Sequence, residues 1–415
     1  MDLTACPVVI IWHRMSIEVG TSGYGNAFPA HGAAREWGGR TIEARTTEGV
    51  RVTGKERMKK AFSLEEPDAV PVWEMAFNEA SIVKLGRFFT DDLPPLKSAH
   101  EMTVGEKLRL LEVLFTVVEE LGLDGISSVL LFESEPAGDG YLKDSWGRVK
   151  RLSDAGEAVF VDGPVSRPED LAGFSTPHPR ESEYLMLMAS GERFAERIAQ
   201  VLLQPGPFVL SRSIVGGMQK YFPFFRTRPA FVHDLMRILT DYILESLDMA
   251  CRLGVDIICL DGDLADNRAT FMSPAHYDEF IFPYHREIVE HAHRNGKLIF
   301  KHSDGNMWQI MDRIVEAGFD GFHPVQPQCM DIGEVKDAYG ERLCLLGNID
   351  CAYLLPFGDE EAVEDAVRET IRVAAPGGGY VLASSNTMHP GCRAENYVAM
   401  VKAARRYGRY PIDVG

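Results

Sequence analysis

Residues 297–306 read KLIFKHSDGN, and this stretch decides the fold class. Its apolar, strand-like part ends abruptly in His302, Ser303 and Asp304. The catalytic side chains of an α/β barrel lie at the carboxyl ends of its buried strands. A buried strand that ends in a histidine and a carboxylate therefore predicts an enzyme built on such a barrel.

Four further hydrophobic runs end in polar residues in the same way. They are VDIICLDGD, which ends at Asp261 and Asp263, GFHPVQP, which contains His323 and Gln326, LCLLGNID, which ends at Asn348 and Asp350, and YVLASSN, which ends at Ser385 and Asn386. Polar groups at strand ends contribute nothing to a hydrophobic core. Several strands with this property indicate one shared pocket.

Eight strand candidates separated by helical segments predict a (β/α)8 TIM barrel over residues 51–415. The first three are VPVWEM, LDGISSV and FVLSRSIVGG, and the other five are the runs given above. The connecting helices are clearest over 228–254 and 273–296, and Ser273 followed by Pro274 is a typical helix start.

Two parts of the chain lie outside a bare barrel. An insertion predicted after the second strand, at about 131–207, contains an alternating pattern typical of a β-hairpin, and we expect it to form part of the pocket rim. Residues 1–50 are Gly-rich and weakly periodic, so they predict a poorly ordered N-terminal extension.

The net charge and the lengths of the apolar runs indicate which kinds of partner the chain can bind. The 43 Lys and Arg residues are outnumbered by 61 Asp and Glu residues, and the net charge of −18 opposes binding to nucleic acid or anionic lipid. No run approaches the roughly 18 apolar residues of a membrane span, and the apolar run near the N-terminus is too short for a signal peptide. We therefore expect a cytoplasmic enzyme with a small-molecule substrate.

His302 and Asp304 are the leading candidates for catalysis. Residues two apart in an extended chain project from the same face, so both side chains can point into the barrel mouth. That arrangement suits acid–base catalysis or a metal site, since divalent cations accept histidine together with aspartate. The alternative is structural: His302 would bond a neighbouring strand, and Asp304 would cap the next helix.

Asp261 and Asp263 repeat this spacing at the end of another strand. Two nearby carboxylates repel each other, so one would hold a proton or the pair would share a cation. The alternative is that Asp263 caps a helix or pairs with Arg268. Glu74 ends the first strand candidate and is a further catalytic candidate.

The remaining polar residues at the strand ends are predicted to bind substrate. They are His323, Gln326, Asn348, Asp350, Asn386 and His389, together with Trp73, whose ring would pack either on a flat substrate or on the barrel wall. The sequence contains no P-loop, nucleophile elbow, HExxH helix or dinucleotide fingerprint. Hydrolase and dehydrogenase functions therefore have little support.

Several segments resemble the uroporphyrinogen decarboxylase superfamily, which includes cobalamin-dependent methyltransferases. They are TGKERMKKAFSLEEPDAVPVWEM, SPAHYDEFIFPYHREIV, KHSDGN, GFDGFHPVQP, RLCLLGNID and APGGGYVLASSN. The resemblance runs from about residue 52 to residue 411 and implies a TIM-barrel enzyme. It also allows a homodimer.

This chain resembles authentic uroporphyrinogen decarboxylases but lacks the motifs that are typical of them. Those enzymes carry an Arg-rich RQAGR segment, an aspartate after the second strand and a GHG motif in the last strand. Here the corresponding places read MAFNEASIVKLGR, Ser127-Ser128 and Ser384-Ser385. A porphyrinogen with many carboxylates needs cationic partners, so this substrate is disfavoured.

Members of the methyltransferase branch carry a zinc site formed by a His-x-Cys motif and a later Cys. This chain resembles that branch in the positions of the ligands but not in all of their residue types. His302 matches the histidine, Asp304 stands in place of the first cysteine, and Asn386 falls near the second. The ligands have changed from soft sulfur to hard oxygen, which leaves open whether zinc or another divalent metal is bound. The zinc thiolate site of that branch is therefore not expected in its usual form.

The resemblance implies transfer of a methyl group from a small O-methyl substrate to a corrinoid carried by a partner protein. His302, Asp304 or Glu74 would polarise the leaving oxygen through a metal or a proton. One alternative is a decarboxylase that acts on a tetrapyrrole or another carboxylated substrate. A second alternative is a noncatalytic subunit that binds a small molecule.

Overall fold

The structure, a computed structural model, describes residues 52–97, 101–138, 140–152 and 158–413. The predicted N-terminal extension lies outside the described residues. The strands are β1 (Gly125–Val129), β2 (Ser134–Pro136), β3 (Tyr141–Asp144), β4 (Val149–Leu152), β5 (Ala158–Asp162), β6 (Ala199–Pro205), β7 (Ile257–Asp261), β8 (Leu298–His302), β9 (Gly321–His323), β10 (Cys344–Ile349) and β11 (Tyr380–Ser384).

Helices separate most of these strands, and some of them begin at side-chain caps. They are α1 (Gly54–Phe62), α2 (Glu79–Gly86), α3 (Val104–Leu121), α4 (Leu185–Phe194), α5 (Pro207–Val215), α6 (Met218–Thr227), α7 (Pro229–Arg252), α8 (Pro274–Phe280), α9 (Phe282–Arg294), α10 (Met311–Glu316), α11 (Ile332–Tyr339), α12 (Leu354–Phe357), α13 (Glu360–Ala374) and α14 (Ala394–Tyr407). Thr53 and Thr103, for example, form capping boxes with Glu56 and Glu106 at the starts of α1 and α3.

Seven parallel strands form a curled sheet in the order β1-β6-β7-β8-β9-β10-β11. The segment 70–77 closes the ring between β11 and β1. The amide of Trp73 donates to the carbonyl of Leu382 at 3.0 Å, and the amide of Asp124 donates to the carbonyl of Val72 at 2.8 Å. VPVWEM therefore occupies the position of the eighth strand, and the predicted TIM-barrel fold is confirmed.

The third predicted strand is wrong. FVLSRSIVGG forms α5, and the barrel strand in this position is β6, which lies just before it. Pro207 opens the helix at its first turn, and Gly216 ends it with a left-handed φ of 87°. The β-branched residues of the run favour a strand, but the proline and the glycine define a helix.

The predicted hairpin in the insertion is part of a four-stranded antiparallel sheet, ordered β2-β3-β4-β5. The interval 131–207 also contains α4 and β6, which belong to the barrel. The insertion packs on α5, because Arg148 donates to the hydroxyl of Ser213 at 3.3 Å and the amide of Val165 donates to the carbonyl of Ile214 at 3.2 Å. It thus packs on the carboxyl-terminal part of α5.

The helical segment at 273–296 is two helices and not one. α8 and α9 meet at Ile281, and Pro283 lies in the first turn of α9. Proline lacks the amide hydrogen that a continuous helix would need at this point. None of the helices in the described ranges is both long and apolar enough to span a membrane.

Asp124 connects three elements at the amino-terminal end of the barrel. Its side chain, only 2% exposed, accepts hydrogen bonds from the amide of Val72 at 2.8 Å, from Arg57 of α1 at 3.0 Å and from Arg405 of α14 at 3.1 Å. The closing segment and the two helices are therefore held by one buried carboxylate.

Candidate active site

The carboxyl ends of β7, β8 and β9 bring the leading candidates together. These strands are neighbours in the sheet, and His302 lies opposite His323 in the β8–β9 register. Asp261 ends β7, and Asp263 and Asp304 follow the ends of β7 and β8. The predicted shared pocket therefore contains a cluster of two histidines and three aspartates.

The two histidines are joined through their rings. The Nδ1 atoms of His302 and His323 lie 2.7 Å apart, so one of them carries the hydrogen and the other accepts it. Burial, together with the nearby Lys301, lowers the pKa of His302 to about 3, and burial also lowers the pKa of His323 well below its usual value. Both rings are therefore neutral. When His302 donates from Nδ1, its Nε2 lone pair faces the carboxylates.

Three carboxylates surround Nε2 of His302. The distances are 3.8 Å to Oδ1 of Asp261, 3.8 Å to Oδ1 of Asp263 and 3.9 Å to Oδ1 of Asp304. These distances are too long for hydrogen bonds. The ligand atoms of Asp263, His302 and Asp304 all lie within 4.8 Å of one another, which leaves room for an ion between them.

The carboxylates carry more negative charge than the described groups around them neutralise. Burial and the neighbouring Asp263 raise the pKa of Asp261 to about 6, although Lys301 and Arg212 oppose the shift. Burial and Asp263 raise the pKa of Asp304 well above its usual value. A proton or a bound cation would relieve this repulsion.

Asp304 is held in place from two sides. Its amide donates to Oδ1 of Asp263 at 3.1 Å, and the side-chain amide of Asn386 donates to its Oδ2 at 2.5 Å. Its Oδ1 atom is buried and has no hydrogen bond within the described part of the chain. A carboxylate fixed through one oxygen, with the other oxygen unsatisfied, is suited to bind a cation.

The donor set fits a divalent cation. One imidazole nitrogen and two carboxylate oxygens are ligands that zinc, manganese and iron accept together. With two carboxylate oxygens and no sulfur, the set is harder than a zinc thiolate site. Metal binding itself stays a prediction.

Lys301 supports the site and was missed by the sequence reasoning. Its buried ammonium donates to the carbonyls of Leu260, Gly262 and His302 at 3.2, 2.6 and 2.5 Å. These bonds hold the ends of β7 and β8 together beneath the aspartates. The available signal was a lysine inside an apolar strand, directly before the candidate histidine.

Trp73 lies fully buried in the barrel, against the histidines. Its ring packs edge-on to His323 and Phe300, with centroids 5.3 and 5.5 Å away, and its indole donates to the hydroxyl of Ser127 at 2.9 Å. The ring therefore forms barrel wall in this structure, which is the second of its two predicted roles. Contact with a substrate stays a prediction.

Glu74 is not brought to the histidine–aspartate cluster. Its Oε1 accepts from the hydroxyl of Ser384 at 2.8 Å, and Tyr397 of α14 lies beside it. Neighbouring residues of an extended segment project to opposite faces, so Glu74 points away from the interior that Trp73 occupies. Burial raises the pKa of Glu74 to about 8.

Two predicted substrate-binding residues lie close to the cluster. The side-chain oxygen of Gln326 accepts from the amide of Gly305 at 2.8 Å, next to Asp304, and its amide group donates to Asn267 at 3.0 Å. Asn348 is buried and donates to the carbonyl of Val325 at 3.0 Å. Gln326 thus connects the loops that follow β7, β8 and β9.

Two others mainly order their own loops. Asp350 accepts backbone amides from the three residues 352–354 at the start of α12. His389 contacts the carbonyl of Cys351 at 2.7 Å through Nε2 and accepts from the amide of Gly391 at 3.0 Å through Nδ1. Both ring nitrogens of His389 are therefore occupied.

The sequence of this barrel matches a known protein family. A family model described as Uroporphyrinogen decarboxylase (URO-D) matches residues 151–407, which is more than half of the chain. The chain belongs to the URO-D family. The predicted resemblance is confirmed.

Curated members of the URO-D family are distant but extensive relatives. A uroporphyrinogen decarboxylase from Thioalkalivibrio sulfidiphilus is 24% identical over 375 residues, which cover 85% of this chain and 98% of that protein. One from Methylococcus capsulatus is 23% identical over 265 residues, covering 61% of this chain and 73% of that protein.

A solved structure shares the fold of this URO-D family chain. The structure of a methyltransferase from Methanosarcina mazei matches with a TM-score of 0.68 at 19% identity, covering 86% of this chain and 99% of that one. The likeness shows that the two chains have the same barrel.

Proposed function

We propose that this URO-D family enzyme is a corrinoid-dependent methyltransferase. It would move a methyl group from a small O-methyl substrate to a corrinoid carried by a partner protein. The observation that carries the proposal is the cluster of Asp263, His302 and Asp304 at the carboxyl ends of the strands. His302 and Asp304 stand where the resemblance to the methyltransferase branch places metal ligands. The shared barrel of the Methanosarcina mazei methyltransferase supports the same choice.

Asp263, His302 and Asp304 would hold a divalent cation. When bound, such an ion supplies Lewis-acid polarisation of the oxygen from which the methyl group leaves. Lys301 and Asn386 hold the surrounding backbone and Asp304 in place. The protein then contributes a preorganised site that does not have to rearrange during reaction.

The chain's own residues also handle the leaving group. The bond between the methyl carbon and oxygen breaks, the oxygen keeps the electron pair, and the methyl group passes to the reduced corrinoid. The oxygen must then gain a proton. Asp261, the carboxylate of the cluster that is not one of the proposed ligands, lies 3.8 Å from Nε2 of His302 and is placed to supply it.

The test is a methyl-transfer assay with free cobalamin in place of the partner's corrinoid. The purified enzyme is mixed with cob(I)alamin and a panel of methanol, methoxybenzene and methoxybenzoates, and absorbance follows the loss of cob(I)alamin. We expect donor-dependent methylation, with a rate at least about 100-fold lower in His302→Ala. The control is His178→Ala, whose side chain is 91% exposed in the insertion.

A wild-type enzyme that methylates cobalamin with none of these donors, at any protein concentration, would count against the proposal. So would a His302→Ala variant as active as the His178→Ala control. A noncatalytic binding subunit would behave in the first way and would keep its ligand affinity in His302→Ala.

A decarboxylase is the second candidate, because a curated relative that is matched over 98% of its own length carries that name. The same preparation is incubated with uroporphyrinogen and the products are separated by chromatography. Loss of carboxyl groups at a rate that depends on His302, without methyl transfer, would favour this reaction.

A further inference from the structure

Arg212 lies beside the active site and has no acidic partner among the described residues. α5 follows β6 directly, and the amide of Gly206, just before it, donates to the backbone carbonyl of Asp261 at 2.7 Å. The first turn of α5 also packs on Gly262, where a Cβ atom would come within 3.0 Å of Val209. This helix is therefore fixed against the end of β7.

The guanidinium of Arg212 makes few hydrogen bonds to the described residues, although it is half-buried. Its described hydrogen bond is to the sulfur of Met218 at 3.7 Å. No carboxylate of the described chain lies within ion-pair distance of it. By contrast, Arg237 and Arg313 bind Glu287 and Asp278 through two nitrogens each. An arginine head group offers five N–H donors, most of which are unused in Arg212.

The described carboxylates of the insertion that lie next to α5, Asp144 and Asp162, are already paired. Arg148, which donates to Ser213 next to Arg212, shares the buried carboxylate of Asp144 with Lys150, at 2.8 and 3.5 Å. Two cations and one anion leave an excess of positive charge on this side of α5. On β5 and α6, Asp162 is already paired with Lys220 at 3.0 Å.

Asp261 of the cluster lies close enough to Arg212 for the two charges to interact. The charge of Arg212 lowers the pKa of Asp261, although no ion pair joins the two side chains. An anionic substrate would be repelled by Asp261, Asp263 and Asp304 and attracted by Arg212. Arg212 is thus a positive charge beside a negatively charged cluster.

We propose that Arg212 binds a carboxylate group of the substrate. The substrate is then a small methyl donor that is also an acid, oriented with its carboxylate at α5 and its methyl-bearing oxygen at the histidine–aspartate cluster. A planar guanidinium matches a carboxylate through two parallel hydrogen bonds. This assignment rests on the proposed function for the class of methyl donor, but carboxylate binding can be measured without any reaction.

Calorimetric titration tests the assignment with matched pairs of acids and neutral amides. The probes are benzoate, 4-methoxybenzoate and acetate, each beside its amide. We expect the wild-type protein to prefer at least one acid over its amide by about ten- to a hundredfold in Kd. Arg212→Gln should lose this preference, and Arg212→Lys should keep part of it. Arg226→Gln, an exposed arginine on α6, is the matched control and should retain it.

The folded state of each variant is checked by its thermal midpoint. The assignment would be overturned if the wild type bound none of the acids, or bound every acid and its amide with equal affinity. It would also be overturned if folded Arg212→Gln kept the preference for the acid. His302→Ala separates this site from the proposed function. It should abolish methyl transfer and leave the preference for the acid intact.

Discussion

At the scale of single residues, Glu74 is a buried carboxyl group that points away from the histidine–aspartate cluster. Its buried Oε1 is bonded to Ser384 while Oε2 has no hydrogen bond in the described structure, and the pKa of about 8 keeps the group protonated at neutral pH. The unfolded chain would hold this proton only below about pH 4.5. Between these two values the folded state binds more protons than the unfolded state.

Stability should therefore fall as pH rises from about 4.5 to about 8, because the unfolded state is increasingly favoured by ionisation. The contribution of Glu74 approaches about 1.4 kcal/mol per pH unit within that window. Glu74→Gln cannot ionise and should flatten the slope, so that the variant gains stability relative to the wild type at the upper end. Urea unfolding at several pH values measures the difference. Parallel profiles for the two proteins would contradict the assignment of a neutral Glu74.

The sequence could predict which aspartates and histidines converge, because strand ends of a barrel meet at one edge. It could not predict how they are oriented. The ring-to-ring contact of His302 with His323 and the partners of Lys301 depend on side-chain rotamers and on the exact register of β7, β8 and β9. The direction of Glu74, which points away from the interior that Trp73 occupies, could not be predicted for the same reason.

At the scale of elements, the insertion is fastened to the barrel by a charged cluster. The buried Asp144 accepts from the amides of Trp146 and Arg148 and from the guanidinium of Arg148 at 2.8 Å. The Arg148 guanidinium also lies 4.7 Å from the ring centre of Phe160. The cluster joins β3, β4 and α5 through one carboxylate.

Asp144→Asn should destabilise the protein by about 3–5 kcal/mol, because it leaves Arg148 and Lys150 buried without a counter-charge. Chemical unfolding gives the size of the loss, and limited proteolysis shows whether the insertion opens first. Asp162→Asn, which removes an exposed ion pair with Lys220, should cost less than about 1 kcal/mol. Equal effects of the two substitutions would show that the cluster does not hold the insertion.

Most elements could be predicted from hydrophobic pattern, but β6 and α5 could not. The apolar run of β6 and the β-branched run of α5 follow each other directly, and both have the composition of strands. The deciding signals were Pro207 at a helix start and Gly216 at a helix end. The break between α8 and α9 was likewise marked by a proline.

At the scale of the whole molecule, closure of the barrel depends on Asp124. Asp124→Ala removes the partner of the Val72 amide and leaves Arg405 and part of Arg57 without a carboxylate. We expect a loss of about 3–5 kcal/mol in the free energy of unfolding. Asp68→Ala removes a 45% exposed partner of the same Arg57 and should cost about 1 kcal/mol or less. Similar losses for both would show that the first and last parts of the barrel are held elsewhere.

Asp263, His302 and Asp304 are proposed to form one cation site at the mouth of the barrel. Inductively coupled plasma mass spectrometry of the purified wild type, beside His302→Ala, Asp304→Ala and the control His389→Ala, tests it directly. We expect about one equivalent of a divalent metal in the wild type and the control, and little metal in the other two variants. A correctly folded wild type that binds no metal even when metal is supplied would contradict this cation site. Metal retained in both His302→Ala and Asp304→Ala would contradict it as well.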